Sequence, residues 1–524
     1  ACQEGSITAI PDGTTYHIEQ SEDYNENCWL VEADAYLQIG QTEYNSLKKA
    51  YDAITGDSAT IKVIADTSVE AILPESPSGK TITFDLNGHV LTYSQPLINN
   101  GTMIIKDDDP RKTGKLLHSK IDTDTIVNNG DLTIESGYIT AGKNAVLNNS
   151  GSTLTIDGGT LESTDCGIRS NGASGQGKRV TVIINNGIVS GDNSGMYSGS
   201  YVDVSLLGGT VRSLMQGAYL ANYTTLTIDG GAIEVENTDT VSRKAISGIE
   251  GYSSANTTVT LNSGTIRVID RAYGWDGMSD IHETSGIVGA STTITGGNID
   301  VNMIRTNNLR SFYANGIREP YAFSMSGGNI TVNSDESTIR KTTHAYGLYG
   351  IFGDNISITG GTITATAPNN ATGTYISTSE PKVISNAQIT ATTTTSTGTA
   401  VGVATYSGTI NISDSTITAT ANQASGIGIN VYSGGTAIID GGKISGSTYG
   451  VYTNTQSGSL GYATIGNNNN AIERNAPEII GGSYALYGNS FNYYDGTLRG
   501  KLKAFQEGSI NDQIGRADQQ ECRD

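Results

Sequence analysis

The sequence predicts an all-β protein: a right-handed parallel β-helix solenoid with a short N-terminal capping helix. Three observations support this fold class. A short alternating strand, a glycine turn and a second strand recur more than ten times along the 524 residues. The chain contains 66 Gly but only 9 Pro and 6 Phe, and 36% of it is hydrophobic, which fits a thin core that runs along a stack of rungs. An amphipathic segment near the start can cover the first rung.

The repeated unit is seen in residues 154–161 (LTIDGGTL) and 356–363 (ISITGGTI). Its two-residue alternation directs apolar side chains to one face, which we expect to point inward. The glycine pair allows a sharp turn, because glycine tolerates a positive φ. The spacing of the central apolar residues runs from 22 (134 to 156) to 40 (439 to 479). These residues are Ile134, Ile156, Ile184, Leu206, Ile228, Leu261, Ile294, Met325, Ile358, Ile384, Ile412, Ile439 and Ile479.

A second pattern lies between these units, in which Gly is followed by an apolar residue. Examples are residues 167–170 (GIRS), 426–429 (GIGI) and 450–453 (GVYT). It predicts a further strand, so that each turn of the solenoid contains two or three short parallel strands. An array of hairpins is the structural alternative, but it needs regular Asn-Gly turns with matched flanks, and these are not a regular feature here.

A helix is expected in residues 43–54, with Thr42 before it and Gly56 as a stop after it. Its apolar residues at helical spacing are Tyr44, Leu47, Tyr51 and Ile54. A solenoid must cover its open first rung, or the strand edges would pair with other chains. The helix therefore predicts an N-terminal cap.

The ends of the chain resemble each other. Residues 1–7 (ACQEGSI) match residues 504–510 (AFQEGSI) at six of seven positions. This predicts one unit of a tandem array of similar modules, with chance similarity as the alternative. The predicted divisions are a connector at 1–35, a cap with the amphipathic helix at 36–58, the β-helix at 59–503 and a second connector at 504–524.

Charge and cysteine content exclude several functions. The formal net charge of −21 argues against nucleic acid and against an anionic membrane surface. No apolar run has the length of a membrane span, so no membrane insertion of this segment is expected. The four cysteines have no metal-binding spacing; they allow three pairings, and Cys2 and Cys28 are disulfide candidates. Cys166 lies within a rung and is interpreted as a small buried filler.

Several segments resemble a class of large, adhesin-like surface proteins of Gram-positive bacteria, often from the gut. The resemblance covers about residues 36–503 and is carried by residues 36–40 (YLQIG), 44–50 (YNSLKKA), 82–89 (ITFDLNGH), 98–105 (INNGTMII), 480–487 (IGGSYALY) and 493–498 (YYDGTL). It implies a pectate-lyase-like right-handed β-helix and an extracellular location on the bacterial cell surface. It implies no particular activity, because fold does not fix function.

The sequence predicts no enzyme. A glycoside hydrolase needs two carboxylates across one bond, and a lyase acting on uronates needs a base with Ca²⁺ or cationic groups. Polygalacturonases carry Asn-Thr-Asp, Asp-Asp, Gly-His-Gly and Arg-Ile-Lys motifs on successive rungs, and these do not occur in series here. Residues 87–89 (NGH) are only superficially close to one of them. We interpret His89 as structural. No nucleotide loop or catalytic triad is present.

No cofactor is predicted, and one place is a candidate Ca²⁺ site. Three consecutive carboxylates, Asp107 to Asp109, form an acidic stretch whose alternative interpretation is a solvated turn. The histidines His17, His118, His282 and His344 are scattered, without the spacing of metal ligands.

A partner site is predicted on two long rungs, residues 269–287 and 302–322, which we expect to bulge outward as loops. They combine aromatic and Arg side chains, which are favoured anchors for glycans and proteins. The candidate ligand-binding residues are Tyr273, Trp275, Arg310, Phe312, Tyr313 and Arg318. The alternative is that these segments only cover the wall of the solenoid.

The predicted function is a non-catalytic extracellular stalk or adhesin module of a large, tandem-repeat bacterial surface protein. Its expected partners are a host or bacterial surface glycan or protein and the neighbouring modules of the same chain. A carbohydrate-binding β-helix is the second hypothesis, and a lyase or hydrolase acting on acidic polysaccharides is the third.

Overall fold

The computed structural model describes residues 16–20, 29–69, 73–237, 245–271, 281–305, 311–336, 343–350, 356–380, 382–432, 434–456, 459–467 and 475–505. The chain divides into two compact units. Unit 1 comprises residues 1–213 and 217–225, and unit 2 comprises residues 214–216 and 226–524.

The described start of unit 1 has one helix and three antiparallel pairings. The strands Tyr16–Gln20 and Trp29–Ala33 pair with each other, and Leu37–Ile39 pairs with both Thr42–Tyr44 and Ser58–Val63. The helix Leu47–Asp52 is shorter than residues 43–54, because the first of those residues belong to the hairpin that turns at Gly40.

The N-cap of this helix is Ser46 and not Thr42: the Ser46 hydroxyl accepts a bond from the Lys49 N–H at 3.2 Å. Leu47, Ala50 and Tyr51 are buried, as expected for a cap that packs on the first rung. The predicted capping helix is thus confirmed, with narrower limits than predicted.

Each rung of unit 1 contributes up to three short strands, and equivalent strands of successive rungs pair in parallel. The first column contains Ser58–Val63, Thr81–Asp85, Thr102–Lys106, Asp131–Ile134, Thr153–Ile156, Val180–Ile184 and Val202–Leu206. The second contains Thr67–Val69, Val90–Tyr93, Lys115–His118, Tyr138–Ala141, Thr160–Ser163, Ile188–Gly191 and Thr210–Ser213. The third contains Leu97–Asn99, Ile126–Asn128, Asn144–Asn148, Cys166–Ser170, Ser194–Ser198 and Gln216–Leu220.

Unit 2 also has three columns of parallel strands, and it begins with two long strands, Thr225–Asn237 and Thr258–Asp270. Its first column contains Ser291–Ile294, Phe323–Met325, Ile356–Ile358, Lys382–Ser385, Gly408–Ser413, Gly435–Ile439, Tyr462–Ile465 and Phe491–Tyr493. Its second contains Asn298–Arg305, Asn329–Glu336, Thr362–Ala367, Gln388–Thr393, Thr416–Ala421, Lys443–Gly446, Glu478–Gly481 and Thr497–Gly500. The third is Ala245–Gly251, Ile281–Val288, Ser311–Arg318, Thr343–Gly350, Asn370–Ile376, Thr399–Thr405, Gly426–Val431, Tyr449–Thr453, Tyr484–Gly488 and Lys503–Phe505. A small hairpin, Thr455–Gln456 with Ser459–Leu460, follows one rung.

The core is one residue deep along each column, as the alternation predicts. In unit 1 the inward position of the first column is held by Ile61, Phe84, Ile105, Ile134, Ile156, Ile184 and Leu206, all at most 2% exposed. The second glycine of the Gly-Gly turn adopts the positive φ, as at Gly159 (φ 79°) and Gly361 (φ 87°). The all-β parallel β-helix is therefore confirmed.

One predicted repeat is out of register. Ile465, and not Ile479, lies beside Ile439 in the first column, while Ile479 pairs with Ile444 in the second. The spacing of 40 residues disappears once Ile465 is included. The rung of Ile465 continues as Gly-Asn-Asn, without the Gly-Gly signal that marks the other copies.

Candidate functional site

The third column of unit 2 has a bend that places a glycine against the core in most rungs, and Ala485 in the strand Tyr484–Gly488. A Cβ atom built on Gly402 would lie 2.4 Å from Ile417 Cγ2 and 2.5 Å from the carbonyl oxygen of Gly428. Gly316, Gly347 and Gly373 are equally confined. In the repeated pattern at residues 426–429, the glycine that is equivalent to Gly402 is Gly428 and not Gly426.

Side chains on the outer surface of this column form continuous rows, because equivalent residues of successive strands lie side by side. One row is Tyr346, Thr372, Val401, Ile427, Tyr449 and Tyr484. The next row is Arg318, Tyr349, Tyr375, Ala404, Asn430, Tyr452 and Tyr487. Tyr406 and Tyr432 follow directly after their strands and lie beside the second row.

We call the tyrosines of this surface the tyrosine face. It consists of Tyr313, Tyr346, Tyr349, Tyr375, Tyr406, Tyr432, Tyr449, Tyr452, Tyr484 and Tyr487, all of them half-buried. Ten of the 27 tyrosines of the chain thus lie on one surface of unit 2.

The rings of the tyrosine face contact one another but do not form one parallel stack. Tyr406 and Tyr432 stack with centroids 3.8 Å apart. The angle between ring planes is 57° for Tyr346 with Tyr349, 80° for Tyr346 with Tyr375, and 57° for Tyr452 with Tyr487. In unit 1, by contrast, the rings of Tyr201 and Tyr223 are parallel within 2° at 4.7 Å.

Small apolar residues form the floor of the tyrosine face. Val401, Ala404 and Ile427 are 6%, 2% and 4% exposed, and the rings of Tyr375, Tyr432, Tyr449 and Tyr452 pack against them. Asn430 belongs to the same floor at 4% exposure. Its Oδ1 is buried and has no hydrogen-bond partner among the described residues.

The sequence-predicted residues that the structure describes lie at one end of the tyrosine face. Tyr313 stacks on His344 with centroids 4.7 Å apart. Arg318 forms an ion pair with Glu283 of the neighbouring strand. The structure thus brings Tyr313, Arg318 and Glu283 together across two adjacent strands.

The expectation that residues 269–287 and 302–322 are outward loops is wrong for the residues that lie in strands, which are 269–270, 281–287, 302–305 and 311–318. Ile281–Val288 and Ser311–Arg318 are strands of the third column, because their alternation and their central glycines fit the bend. Phe312 lies on the second strand, next to Thr343, and its side chain is outside the described residues. So are Tyr273, Trp275 and Arg310.

His344 is packed between aromatic rings. It stacks on Tyr346 with centroids 5.8 Å apart, and its Nδ1 lies 3.2 Å from the Tyr346 hydroxyl. Burial lowers the pKa of His344 to about 4, because the charged imidazolium loses its hydration. Burial likewise raises the pKa of Tyr349 to about 12.

The aspartates considered for Ca²⁺, in unit 1, are bound to protein groups. Asp107 is fully buried, and its carboxylate accepts bonds from the N–H groups of Gly88 and Gly114, both at 2.7 Å. Asp108 pairs with Lys106 and Asp109 with Arg111. Among the described residues, no three His, Cys, Asp or Glu side chains are grouped so that they could hold a metal ion.

Two other predicted assignments concern unit 1. His89 Nδ1 lies 3.0 Å from Asp66 Oδ1 in the first rungs, so it has a protein partner, which agrees with a structural role. Cys166 is 3% exposed and forms no disulfide, which confirms a buried filler. Cys2 and Cys28 lie outside the described residues.

The tyrosine face as a whole was not predicted, although the sequence contains a repeated pattern that marks part of it. The pattern Tyr, Gly or Ala, apolar residue, Tyr occurs at residues 346–349 (YGLY), 449–452 (YGVY) and 484–487 (YALY). Each copy spans the bend, so that its first tyrosine lies in the first row and its second tyrosine in the second row. Only the parallel register shows that the copies belong to one surface.

No protein-family model matches this chain, and neither a curated protein nor a solved structure matches it. The resemblance to surface proteins of Gram-positive bacteria therefore stays a prediction. In the part of the chain that the structure describes, no helix is long and apolar enough to cross a membrane.

Proposed function

We propose that this chain is a non-catalytic, extracellular stalk or adhesin module of a bacterial surface protein, and that the tyrosine face is its contact surface. The observation that carries the proposal is the concentration of ten tyrosines on one surface of unit 2. Tyrosine offers a large contact area with few rotatable bonds and a polar hydroxyl, which is why it is enriched at binding surfaces. A stack of short rungs supplies a rigid support for such a surface.

The state of the charged side chains around the tyrosine face supports a non-catalytic role. Arg318 is engaged by Glu283, so it is not available to neutralise a substrate carboxylate. A histidine with a pKa of about 4 is a weak proton acceptor, and this applies to His344. We therefore expect no release of unsaturated uronates or reducing sugars from pectin or alginate.

The test of the proposal measures adhesion of the immobilised full chain to panels of host epithelial cells and bacterial cells. The test variant carries Tyr375→Ala and Tyr452→Ala in the tyrosine face. The matched control carries Tyr201→Ala and Tyr223→Ala, which removes two stacked rings from unit 1 instead. Adhesion that falls at least tenfold in the test variant alone supports the proposal. Equal adhesion of both variants and the parent chain would overturn it.

A further inference from the structure

We infer that the ligand of the tyrosine face is an uncharged, linear, extended glycan that runs across the strands of the third column. The inference rests on the proposed function, because it names the partner of the same surface. It is carried by the absence of charge on five adjacent strands, by the tilt of several ring pairs and by the side-chain carbonyl of Asn430, which has no partner in the part of the chain that the structure describes.

Charge selects the class of polymer. The adjacent strands Asn370–Ile376, Thr399–Thr405, Gly426–Val431, Tyr449–Thr453 and Tyr484–Gly488 contain no Asp, Glu, Lys, Arg or His. An acidic polysaccharide would need cationic partners on this surface, and the net charge of −21 would repel it at a distance. A neutral polymer needs no cationic partner and is not repelled by the net charge, so these uncharged strands suit an uncharged ligand.

Some ring pairs of the tyrosine face are stacked, such as Tyr349 with Tyr375 at 23°, but the tilted pairs leave room for a sugar ring. In a parallel stack such as Tyr201 with Tyr223, each ring covers a face of the next. Tilts such as the 80° between Tyr346 and Tyr375, or the 41° between Tyr375 and Tyr406, leave parts of the ring faces uncovered by their neighbours. The C–H faces of a pyranose pack on an aromatic face, and its hydroxyls bond to the polar groups around it.

Asn430 provides an acceptor that no described residue of the protein uses. A buried carbonyl without a donor is destabilising, because it has lost its hydrogen bonds to water and gained none in return. The Asn430 side chain lies in the row between Ala404 and Tyr452, in the floor of the tyrosine face. A sugar hydroxyl reaching Oδ1 after a shift of a neighbouring ring would satisfy this atom. Glycan binding therefore removes a cost that the free protein carries.

The spacing of the strands sets the direction of the polymer. Successive strands lie about 4.8 Å apart in a parallel stack. This is close to the length of one sugar residue in an extended β-linked chain, so neighbouring sugars can contact neighbouring strands. A polymer running across the strands from Tyr346 to Tyr487 would contact six of them.

The experiment titrates the full chain with neutral glycans (mixed-linkage β-glucan, galactomannan, arabinoxylan) and acidic ones (polygalacturonate, alginate), by calorimetry and affinity electrophoresis. We expect binding to at least one neutral glycan, unchanged between low and high salt because no ion pair is involved. The variant Tyr375→Ala with Tyr452→Ala should bind at least tenfold more weakly, and the unit 1 control variant should bind like the parent chain.

A second variant separates binding from folding. Asn430→Ala removes an unsatisfied buried carbonyl, so it should unfold no earlier than the parent chain while its glycan affinity falls severalfold. Binding of acidic glycans only, or of no glycan, would overturn the inference. If cell adhesion still depends on the tyrosine face in that case, the proposed function stands with a protein partner. If neutral glycans bind but the tyrosine variant binds equally well, both the inference and the proposed contact surface are overturned.

Discussion

Asn99 donates a hydrogen bond from its side-chain Nδ2 to Oδ1 of Asn128, one rung further along unit 1, at 2.9 Å. Both side chains are fully buried. Asn128 in turn donates from its Nδ2 to Oδ1 of Asn148 at 3.0 Å, and Asn148 donates from its Nδ2 to the Ser170 hydroxyl at 3.2 Å. Asn128 also donates to the carbonyl of Thr153 at 2.9 Å, so both hydrogens of its amide are used. The ladder thus satisfies the buried amides among the apolar side chains of the core.

Replacing Asn128 by Leu should destabilise unit 1, because Asn99 and Asn148 each lose a partner inside the core, and the Thr153 carbonyl and the Gly130 N–H lose their bonds to the same side chain. With these four hydrogen bonds removed, the expected loss in the free energy of unfolding is about 2–4 kcal/mol. The measurement is the midpoint of thermal unfolding, followed by circular dichroism.

Asn129 offers a matched control, since it forms a second, exposed ladder with Asn100 (2.8 Å) and Asn149 (2.6 Å). Water replaces its partners, so Asn129→Leu should cost less than about 1 kcal/mol. Equal losses for the two variants would show that burial of the ladder is not what makes it stabilising.

The glycine column of unit 2 predicts a steric effect. Gly402→Ala places a Cβ atom 2.4 Å from Ile417 Cγ2 and 2.5 Å from a backbone oxygen, so the rung must shift. Overpacking of this kind costs about 1–3 kcal/mol. Gly56→Ala is the control, because the nearest atom to its added Cβ is 3.8 Å away. A Gly402→Ala protein that unfolds at the parent temperature would contradict this account of the bend.

The buried carboxylate of Asp107 predicts a structural role for the acidic stretch of unit 1. Asp107→Leu leaves the N–H groups of Gly88 and Gly114 without their acceptor, and we expect a loss of about 2–4 kcal/mol in the free energy of unfolding. Asp108→Asn, which removes only an ion pair with Lys106 at the surface, should cost less than about 1 kcal/mol. Millimolar Ca²⁺ should not raise the unfolding midpoint of the parent chain; a rise that Asp107→Leu abolishes would establish a calcium site.

The sequence predicted the fold because period-two alternation and glycine turns are local properties of each rung. Ile134 and Ile156 could be assigned to the core without knowing what lies beside them. The partners of Asn128 could not be predicted, because a ladder depends on the register between rungs that are 20 to 29 residues apart in sequence. The tyrosine face could not be predicted for the same reason. Tyr346 and Tyr449 lie in one row only because the three rungs between them are in register. Tyr313 and Arg318 were found through their composition, but as members of a loop and not of a strand.

Lys382 occupies an inward position of the first column in unit 2. It lies beside Ile356 and Ile410, both buried, and is itself fully buried. Its Nζ donates to the carbonyl of Ser407 and lies 3.4 Å from the Thr405 hydroxyl. Both partners are uncharged, so burial lowers the pKa of Lys382 from 10.5 to about 8.

This predicts that unit 2 becomes more stable as the solution becomes alkaline. Below pH 8 the lysine is charged in both the folded and the unfolded chain, and the folded state carries the full cost of burying the charge. Between pH 8 and 10.5 the folded chain has lost the proton while the unfolded chain still binds it, so the free energy of unfolding rises with pH. The difference in pKa corresponds to about 3 kcal/mol as an upper estimate. Lys382→Met fits the apolar surroundings and should raise the unfolding midpoint at pH 7 while removing the rise between pH 8 and 10. The comparison of midpoints at pH 7 and pH 10 for the two proteins decides the matter, and a rise of the same size in Lys382→Met would assign it to other groups.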